Sequence, residues 1–281
     1  MIALTALYGI PLASLILTVD STLQVLYKMI DLQGKMMNKA TMMVTEVIDN
    51  NITPLLAEYD ELGGVIDYKF FRISEAVSDK GAHLSVARHT LLALAHDNQT
   101  LFDRIAKAYE TERDIYFKVT VGDISEDAGN LISIGEFFGP FFEIKTERPI
   151  LCEKKGKPLQ NFEDCVSFSD YYYYDDIEES NIVKINHSIH DAGFVVEGYA
   201  GAFLQPPHGF ARNWANLEIG KFFLQFNRAI FGNIDKLTIY SWPIDCSTYF
   251  DAGKEFWGSY FWTVYCPQKE WYIGIAASTT D

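Results

Sequence analysis

The chain has 281 residues, of which 48% are hydrophobic and 22% are charged, and this balance excludes a globally disordered protein. Its formal charge of −15 argues against binding to nucleic acid, because phosphates repel an acidic protein. Aromatic residues make up 15% of the chain, and such residues favour strands, large cores and contact surfaces.

Residues 1–19, MIALTALYGIPLASLILTV, carry no charge, and their number is at the lower limit for a membrane-spanning helix. No basic region precedes this run, Gly9 and Pro11 interrupt it, and no signal-peptide cleavage site follows it. Membrane association through residues 1–19 is therefore an alternative that the sequence does not favour. We expect a soluble cytoplasmic protein over a membrane-anchored or an exported one.

Helical patterns dominate the first 115 residues. Apolar residues recur at helical spacing from residue 20 to residue 50, and Pro54 and Gly63 mark the start and the end of another helix. Residues 85–109 predict two further helices, divided near Asp97. A short strand, VIDYKFF, is predicted ahead of them.

The composition beyond residue 115 is rich in strand-forming residues. The segments predicted as strands are IYFKVTV (115–121), LISIGEFF (131–138), FFEIKTE (141–147) and GFVVEGYAGAF (193–203). The glycines in the last of these segments indicate a place where another backbone approaches closely. Residues 216–232 return to helical spacing, and Gly232 is expected to end that helix.

The last fifty residues predict three strands, KLTIYSW, SYFWTVY and WYIGIAAS. Residues 266–270 separate the last two strands and form a hairpin loop, in which Pro267 excludes the usual two-residue turn. Together the patterns predict an α+β protein. A helical N-terminal part, residues 1–115, packs with a mainly antiparallel sheet in a β-rich region, residues 116–281, that contains the C-terminal hairpin. The boundary separates either two domains or two layers of one continuous domain.

One loose group of residues has catalytic potential. NHSIHDAG brings His187, His190 and Asp191 together, and on a helical turn this grouping could hold a metal ion. Its surroundings resemble strand and turn, so we expect surface histidines, no metal site and no cofactor. Cys246 would become a nucleophile if the fold placed a histidine beside it. These four residues define an enzymatic alternative, a hydrolase, although no established catalytic motif is present.

Structural roles are the ordinary expectation for all four cysteines and for three further histidines. Cysteine spacing fits no zinc site, and a chain of this length needs no disulfide, so free buried thiols are predicted. The cysteines are Cys152, Cys165, Cys246 and Cys266. Three further histidines, expected on the surface of a helix, are His83, His89 and His96.

Tryptophans near the C-terminus suggest a second alternative, a carbohydrate-binding or small-ligand-binding module. Packing in the core is the ordinary role of such residues, but exposed rings could stack on sugars or anchor an interface. The tryptophans in question are Trp242, Trp257, Trp262 and Trp271.

The most unusual stretch is the run DYYYYDDIEE. Seven acidic residues and no basic residue lie between residues 158 and 183. Four adjacent tyrosines cannot all face a core, so at least one or two phenols are expected to be exposed beside the acids. Tyrosine provides rigid contact area, and carboxylates attract Lys and Arg. The predicted partner-binding residues are Asp170, Tyr171, Tyr172, Tyr173, Tyr174, Asp175, Asp176, Glu178 and Glu179.

The leading hypothesis is therefore an acidic, non-catalytic protein that binds a basic protein partner. Immunity and antitoxin proteins, as a class, inhibit basic toxins or nucleases by placing carboxylates where substrate phosphates would bind. The likeness lies in charge alone, and no motif connects this chain to such a family. A solvated acidic loop whose tyrosines cover a sheet edge is the structural alternative.

Overall fold

The computed structural model describes residues 43–74, 79–109, 118–153, 171–174, 197–210, 216–255 and 257–278. The strands are β1 (Val44–Glu46), β2 (Ile66–Ile73), β3 (Asn130–Ile132), β4 (Phe142–Glu143), β5 (Arg148–Glu153), β6 (Tyr171–Tyr173), β7 (Thr238–Ser241), β8 (Tyr260–Cys266) and β9 (Trp271–Ala277). The α-helices are α1 (Thr53–Glu61), α2 (Lys80–Tyr109), α3 (Ile134–Phe138), α4 (Gly198–Leu204) and α5 (Asn216–Phe231). Short 3-10 helices connect several of these elements.

Six strands form the main sheet, in the order β1-β2-β9-β8-β7-β3, and every neighbouring pair is antiparallel. The sheet has helices on both faces because side chains alternate along its strands. Tyr68 and Phe70 of β2 and Ile273 of β9 pack with α1, α3, α4 and α5. Phe261 of β8 and Ala276 of β9 belong to the opposite face, which packs against α2. The α+β prediction is confirmed.

The long helix α2 corrects the prediction of two helices in this region. It continues through Asp97 and Asn98, whose side chains find partners outside the helix. Asp97 forms an ion pair with Lys69, and Asn98 Oδ1 accepts a hydrogen bond from the Val119 backbone N–H at 3.3 Å. Asp and Asn disfavour a helix interior because their side chains compete for the local backbone, and these contacts remove that competition.

The C-terminal hairpin and α5 follow the sequence pattern closely. Strands β8 and β9 pair from Tyr260–Ala277 to Cys266–Trp271, so residues 267–270 form the loop, which is one residue shorter than the predicted 266–270. Apolar residues of α5 at helical spacing are buried together, as expected. Gly232 ends the helix with a φ of 67°, a conformation that glycine adopts without strain.

The described part of the segment GFVVEGYAGAF, residues 197–203, was wrongly predicted as a strand, because residues 198–203 belong to α4. Small residues let this short helix lie wholly inside the core, where packing overrides the local strand preference. The glycines do mark a close backbone approach. Gly198 lies against Gly139, and a Cβ on Gly139 would lie 2.6 Å from the Glu197 carbonyl oxygen.

Two further findings concern the N-terminal half. The helical pattern predicted for residues 20–50 fails at Val44–Glu46, which form β1 and pair with β2, whereas residues 20–42 lie outside the described part. Among the described residues, no helix combines the length and the apolar character needed to cross a membrane. The uncharged run 1–19 lies outside the described residues.

Candidate functional site

The tyrosine segment, residues 171–174, belongs to a second, three-stranded sheet with the order β4-β5-β6. Strand β6 pairs antiparallel with β5, so that Tyr173 lies opposite Ile150 and Tyr172 opposite Cys152. The register shifts between Ile150 and Cys152, and the strand ends at Tyr173. The Tyr174 backbone N–H donates to the Pro149 carbonyl oxygen at 3.2 Å.

Tyr173 is held by a polar cluster. Its side chain is buried, and its hydroxyl donates to Glu143 Oε2 at 2.9 Å. Glu143 is itself buried, and the same oxygen accepts from the Thr146 hydroxyl. The Arg148 guanidinium carbon lies 3.6 Å from the centre of the Tyr173 ring, which is a cation–π contact. Glu143 and Arg148 are cross-strand partners in β4 and β5, so the hairpin itself builds this cluster.

Tyr174 is held by the main core instead. Its ring is buried among the aromatic residues on the α5 side of the sheet. A glycine in α5 makes the contact possible, because a Cβ on Gly220 would lie 2.6 Å from the Tyr174 Cβ. Tyr173 and Tyr174 are therefore neighbours in sequence that are held in place by two separate sets of contacts.

These contacts correct part of the sequence interpretation, because Tyr173 and Tyr174 are anchors in the described structure and offer no free ring to a partner. Tyr173 contacts the polar side chains of Glu143 and Arg148, and Tyr174 packs in the apolar core. The side chains of Tyr171 and Tyr172 lie outside the described part. The same holds for the flanking acids Asp170, Asp175, Asp176, Glu178 and Glu179.

The enzymatic candidates are not brought together by the described structure. His187, His190 and Asp191 lie outside the described residues. Cys246 is buried, and its thiol donates to the Pro243 carbonyl oxygen at 3.0 Å. Burial raises the pKa of the Cys246 thiol to about 11, so little of it is the nucleophilic thiolate at neutral pH. Within the described part of the chain, no three potential ligands lie close enough to hold a metal ion.

The tryptophans are core residues, and their burial leaves no ring face for a sugar to stack on. All four have relative exposures between 3% and 8%. The Trp242 indole N–H donates to Thr263 Oγ1, that of Trp257 to the Gln205 carbonyl and that of Trp271 to the Ile230 carbonyl. Trp262 stacks on Tyr260 with ring centres 5.1 Å apart.

The predicted surface position of His83 is wrong, whereas His89 and His96 are exposed as expected. His83 is completely buried between α2 and the sheet, and its Nδ1 lies 2.8 Å from Thr263 Oγ1. Thr263 Oγ1 also accepts a hydrogen bond from the Trp242 indole N–H. His83 Nε2 has no hydrogen-bond partner among the described residues. Burial lowers the pKa of His83 to about 3.

Two of the cysteines behave as the sequence predicts. Cys246 and Cys266 are free and buried. The side chains of Cys152 and Cys165 lie outside the described residues.

Sequence reasoning did not identify Glu143 and Arg148 as neighbours of the tyrosine segment. Their positions on either side of the short β4–β5 turn were the available signal, because a hairpin places such residues opposite each other.

Comparisons of the chain with protein-family models, with curated proteins and with solved structures found no match.

Proposed function

We propose that the protein is an acidic, non-catalytic binding protein that engages a basic protein partner through the acids on either side of the tyrosine segment. The observation that supports this proposal is the double anchor of residues 171–174. Tyr173 is fastened to Glu143 and Arg148, and Tyr174 is fastened to the core beside Gly220.

The anchors bear on binding because they fix the chain immediately next to charged residues. Asp170 precedes the anchored segment directly, and Asp175 follows it directly. Consecutive Cα atoms are about 3.8 Å apart, so each of these acids is tied closely to a fixed point. A segment that is already ordered loses less conformational entropy when a partner binds. Buried tyrosines thus support the recognition role without themselves contacting the partner.

Charge defines the class of partner. Residues 158–183 contain seven acids without a base, in a chain with a net charge of −15. Such a concentration of negative charge accelerates encounters with a cationic surface and disfavours anionic ones. The more specific form of the proposal is an inhibitor of the immunity or antitoxin type, whose carboxylates occupy the phosphate-binding positions of a basic toxin or nuclease. We place it in the cytoplasm, where free thiols such as Cys246 and Cys266 stay reduced.

Neutralising the acids tests the proposal. The partner is captured from host extract on immobilised protein, identified by mass spectrometry and purified for titration. The test variant carries Asp175→Asn, Asp176→Asn, Glu178→Gln and Glu179→Gln. Exposed charge pairs contribute about 0.2–1 kcal/mol each, so the loss of four pairs should weaken binding roughly 4- to 1,000-fold.

A control variant has the same change in charge at exposed residues elsewhere, and its substitutions are Glu46→Gln, Asp60→Asn, Asp123→Asn and Glu126→Gln. It should bind within about threefold of the wild type. Equal losses in the two variants would show that net charge alone attracts the partner. Wild-type affinity in the test variant would refute the proposal.

The anchor is tested without any change of charge. In Gly220→Ala the new Cβ would overlap the Tyr174 Cβ, so the tyrosine segment must move. We expect faster hydrogen exchange at the Tyr174 amide and weaker partner binding. Gly81→Ala, also in a helix, is the matched control, because its Cβ would lie 3.4 Å from its nearest neighbour, an ordinary contact. Unchanged binding by Gly220→Ala, together with a loosened segment, would show that anchoring is irrelevant to recognition.

A further inference from the structure

A surface cleft lies beside the β8–β9 hairpin loop. It has a volume of about 300 Å³, and the side chains that line it are Asn233, Lys236, Pro267 and Gln268. The first two belong to the short 3-10 helix Ile234–Lys236 and its N-cap, and the other two belong to the hairpin loop. The cleft is open to solvent, because all four residues are exposed.

Backbone hydrogen bonds fix the orientation of both amide side chains. Asn233 Oδ1 accepts from the Asp235 backbone N–H at 2.9 Å, which caps the 3-10 helix. Gln268 Oε1 accepts from the Asn233 backbone N–H at 2.8 Å. Gly232 leaves room for this second bond, because a Cβ at that position would lie 2.6 Å from Gln268 Oε1. In each amide the oxygen is therefore engaged, and the NH₂ group is left for other contacts.

The remaining side-chain groups of the cleft are all hydrogen-bond donors. They are Asn233 Nδ2, Gln268 Nε2 and the Lys236 ammonium, since Pro267 contributes only apolar surface. None of the four lining residues has a carboxylate. We propose that this cleft binds a small anionic group, a carboxylate or a phosphate, through these three donors. Hydrogen bonds from a cation and from amides to an anion are stronger than those between neutral groups.

The chemistry is distinctive because the whole chain has a net charge of −15. An acidic surface repels a free anion in general. At the cleft, the Lys236 ammonium and the two amide NH₂ groups would instead attract it. The cleft also lies on two elements that are tied to each other by the Asn233–Gln268 bond, which limits the reorganisation that binding requires. This proposal does not depend on the partner-binding role of the tyrosine segment, and either can fail without the other.

Titration followed by NMR tests the cleft. The ¹⁵N-labelled protein is titrated with sodium acetate in one arm and sodium phosphate in the other, and sodium chloride at equal ionic strength is the reference. Saturable shifts of the Asn233 and Gln268 side-chain amide signals are expected in at least one arm, and the arm that binds more tightly identifies the preferred anion. Shifts that merely follow ionic strength, with no saturation in either arm, would overturn the proposal.

Isosteric variants separate the two roles of each amide. Gln268→Glu keeps the oxygen that accepts from the Asn233 backbone but replaces the free donor by a carboxylate oxygen, and Asn233→Asp does the same at the helix cap. Lys236→Gln removes the cation and leaves both amides in place. Each variant should bind the preferred anion at least about tenfold more weakly, with an unchanged circular dichroism spectrum. Lys221→Gln, which changes an exposed lysine of α5 outside the cleft, should bind as the wild type does. Wild-type affinity in both Gln268→Glu and Lys236→Gln would contradict the assignment.

Discussion

Buried His83 makes the stability of this protein depend on pH in a direction that the structure defines. Burial lowers the pKa of His83 from 6.5 to about 3 in the folded protein. Between these two values the unfolded chain binds a proton that the folded protein does not bind. The free energy of unfolding therefore falls as the pH decreases through 6.5, and the loss is complete below the folded pKa.

The magnitude follows from the same two values. At pH 5 an unfolded histidine with a pKa of 6.5 is almost fully protonated, and the corresponding loss of stability relative to pH 8 is about 2 kcal/mol. At pH 4 the loss is about 3 kcal/mol. The hydrogen bond with Thr263 acts in the opposite direction and raises the pKa of His83, but desolvation of the buried ring outweighs it.

Urea unfolding of the wild type and of His83→Asn, measured from pH 8 to pH 4, isolates this contribution. Asparagine places a polar atom near the former Nδ1 position, so Thr263 keeps a hydrogen-bond partner while the titrating group is lost. Other groups titrate in both proteins, so the relevant quantity is the difference between the two pH profiles. The wild type should lose about 2 kcal/mol more than the variant between pH 8 and pH 5. Parallel profiles would refute the reasoning.

Three further substitutions or treatments have defined outcomes. In Gly274→Ala the new Cβ would overlap Thr90 Oγ1, so α2 must move away from the sheet. We expect the free energy of unfolding, measured with urea, to fall by about 3 kcal/mol. Adding Thr90→Ala should restore part of this loss. Additive effects of the two substitutions would contradict this contact. Tyr173→Phe removes the hydroxyl that bonds to Glu143 and should lower stability by about 1–2 kcal/mol in the same assay, whereas an unchanged midpoint would show that the bond is not formed in solution. Iodoacetamide at pH 7.5 should label Cys246 of the folded protein roughly a hundredfold more slowly than in urea, as measured by mass spectrometry, and equal rates would contradict its raised pKa.

Sequence reasoning succeeded where the pattern is local. The C-terminal hairpin has strands with continuous β-forming residues and a loop that contains Pro267. Helix α5 has apolar residues at helical spacing and ends at Gly232. In both cases the residues that define the element are neighbours in sequence. The spacing of the apolar residues and the position of a glycine or proline were therefore sufficient to predict it.

Sequence reasoning failed where a residue's role depends on a distant partner. His83 has the spacing of a helix-surface residue, but it is buried against the sheet, where it meets Thr263, which lies 180 positions away. Tyr173 lies in an acidic run, yet Glu143, 30 positions earlier, holds its hydroxyl inside the protein. The anion cleft similarly depends on Gln268, which meets Asn233 across 35 residues. Neither period nor composition records such pairings, because they arise only when separate elements pack.

The salt dependence of partner binding tests the central claim most directly. Isothermal titration of the captured partner is carried out at 50 mM and 500 mM sodium chloride, with the wild type and with the variant neutralised at residues 175, 176, 178 and 179. Screening weakens attraction between exposed charges as salt increases, so the wild-type dissociation constant should rise at least about tenfold, and the variant should lose most of that dependence. A wild-type dissociation constant that is the same at both salt concentrations would contradict recognition by the acids beside the tyrosine segment.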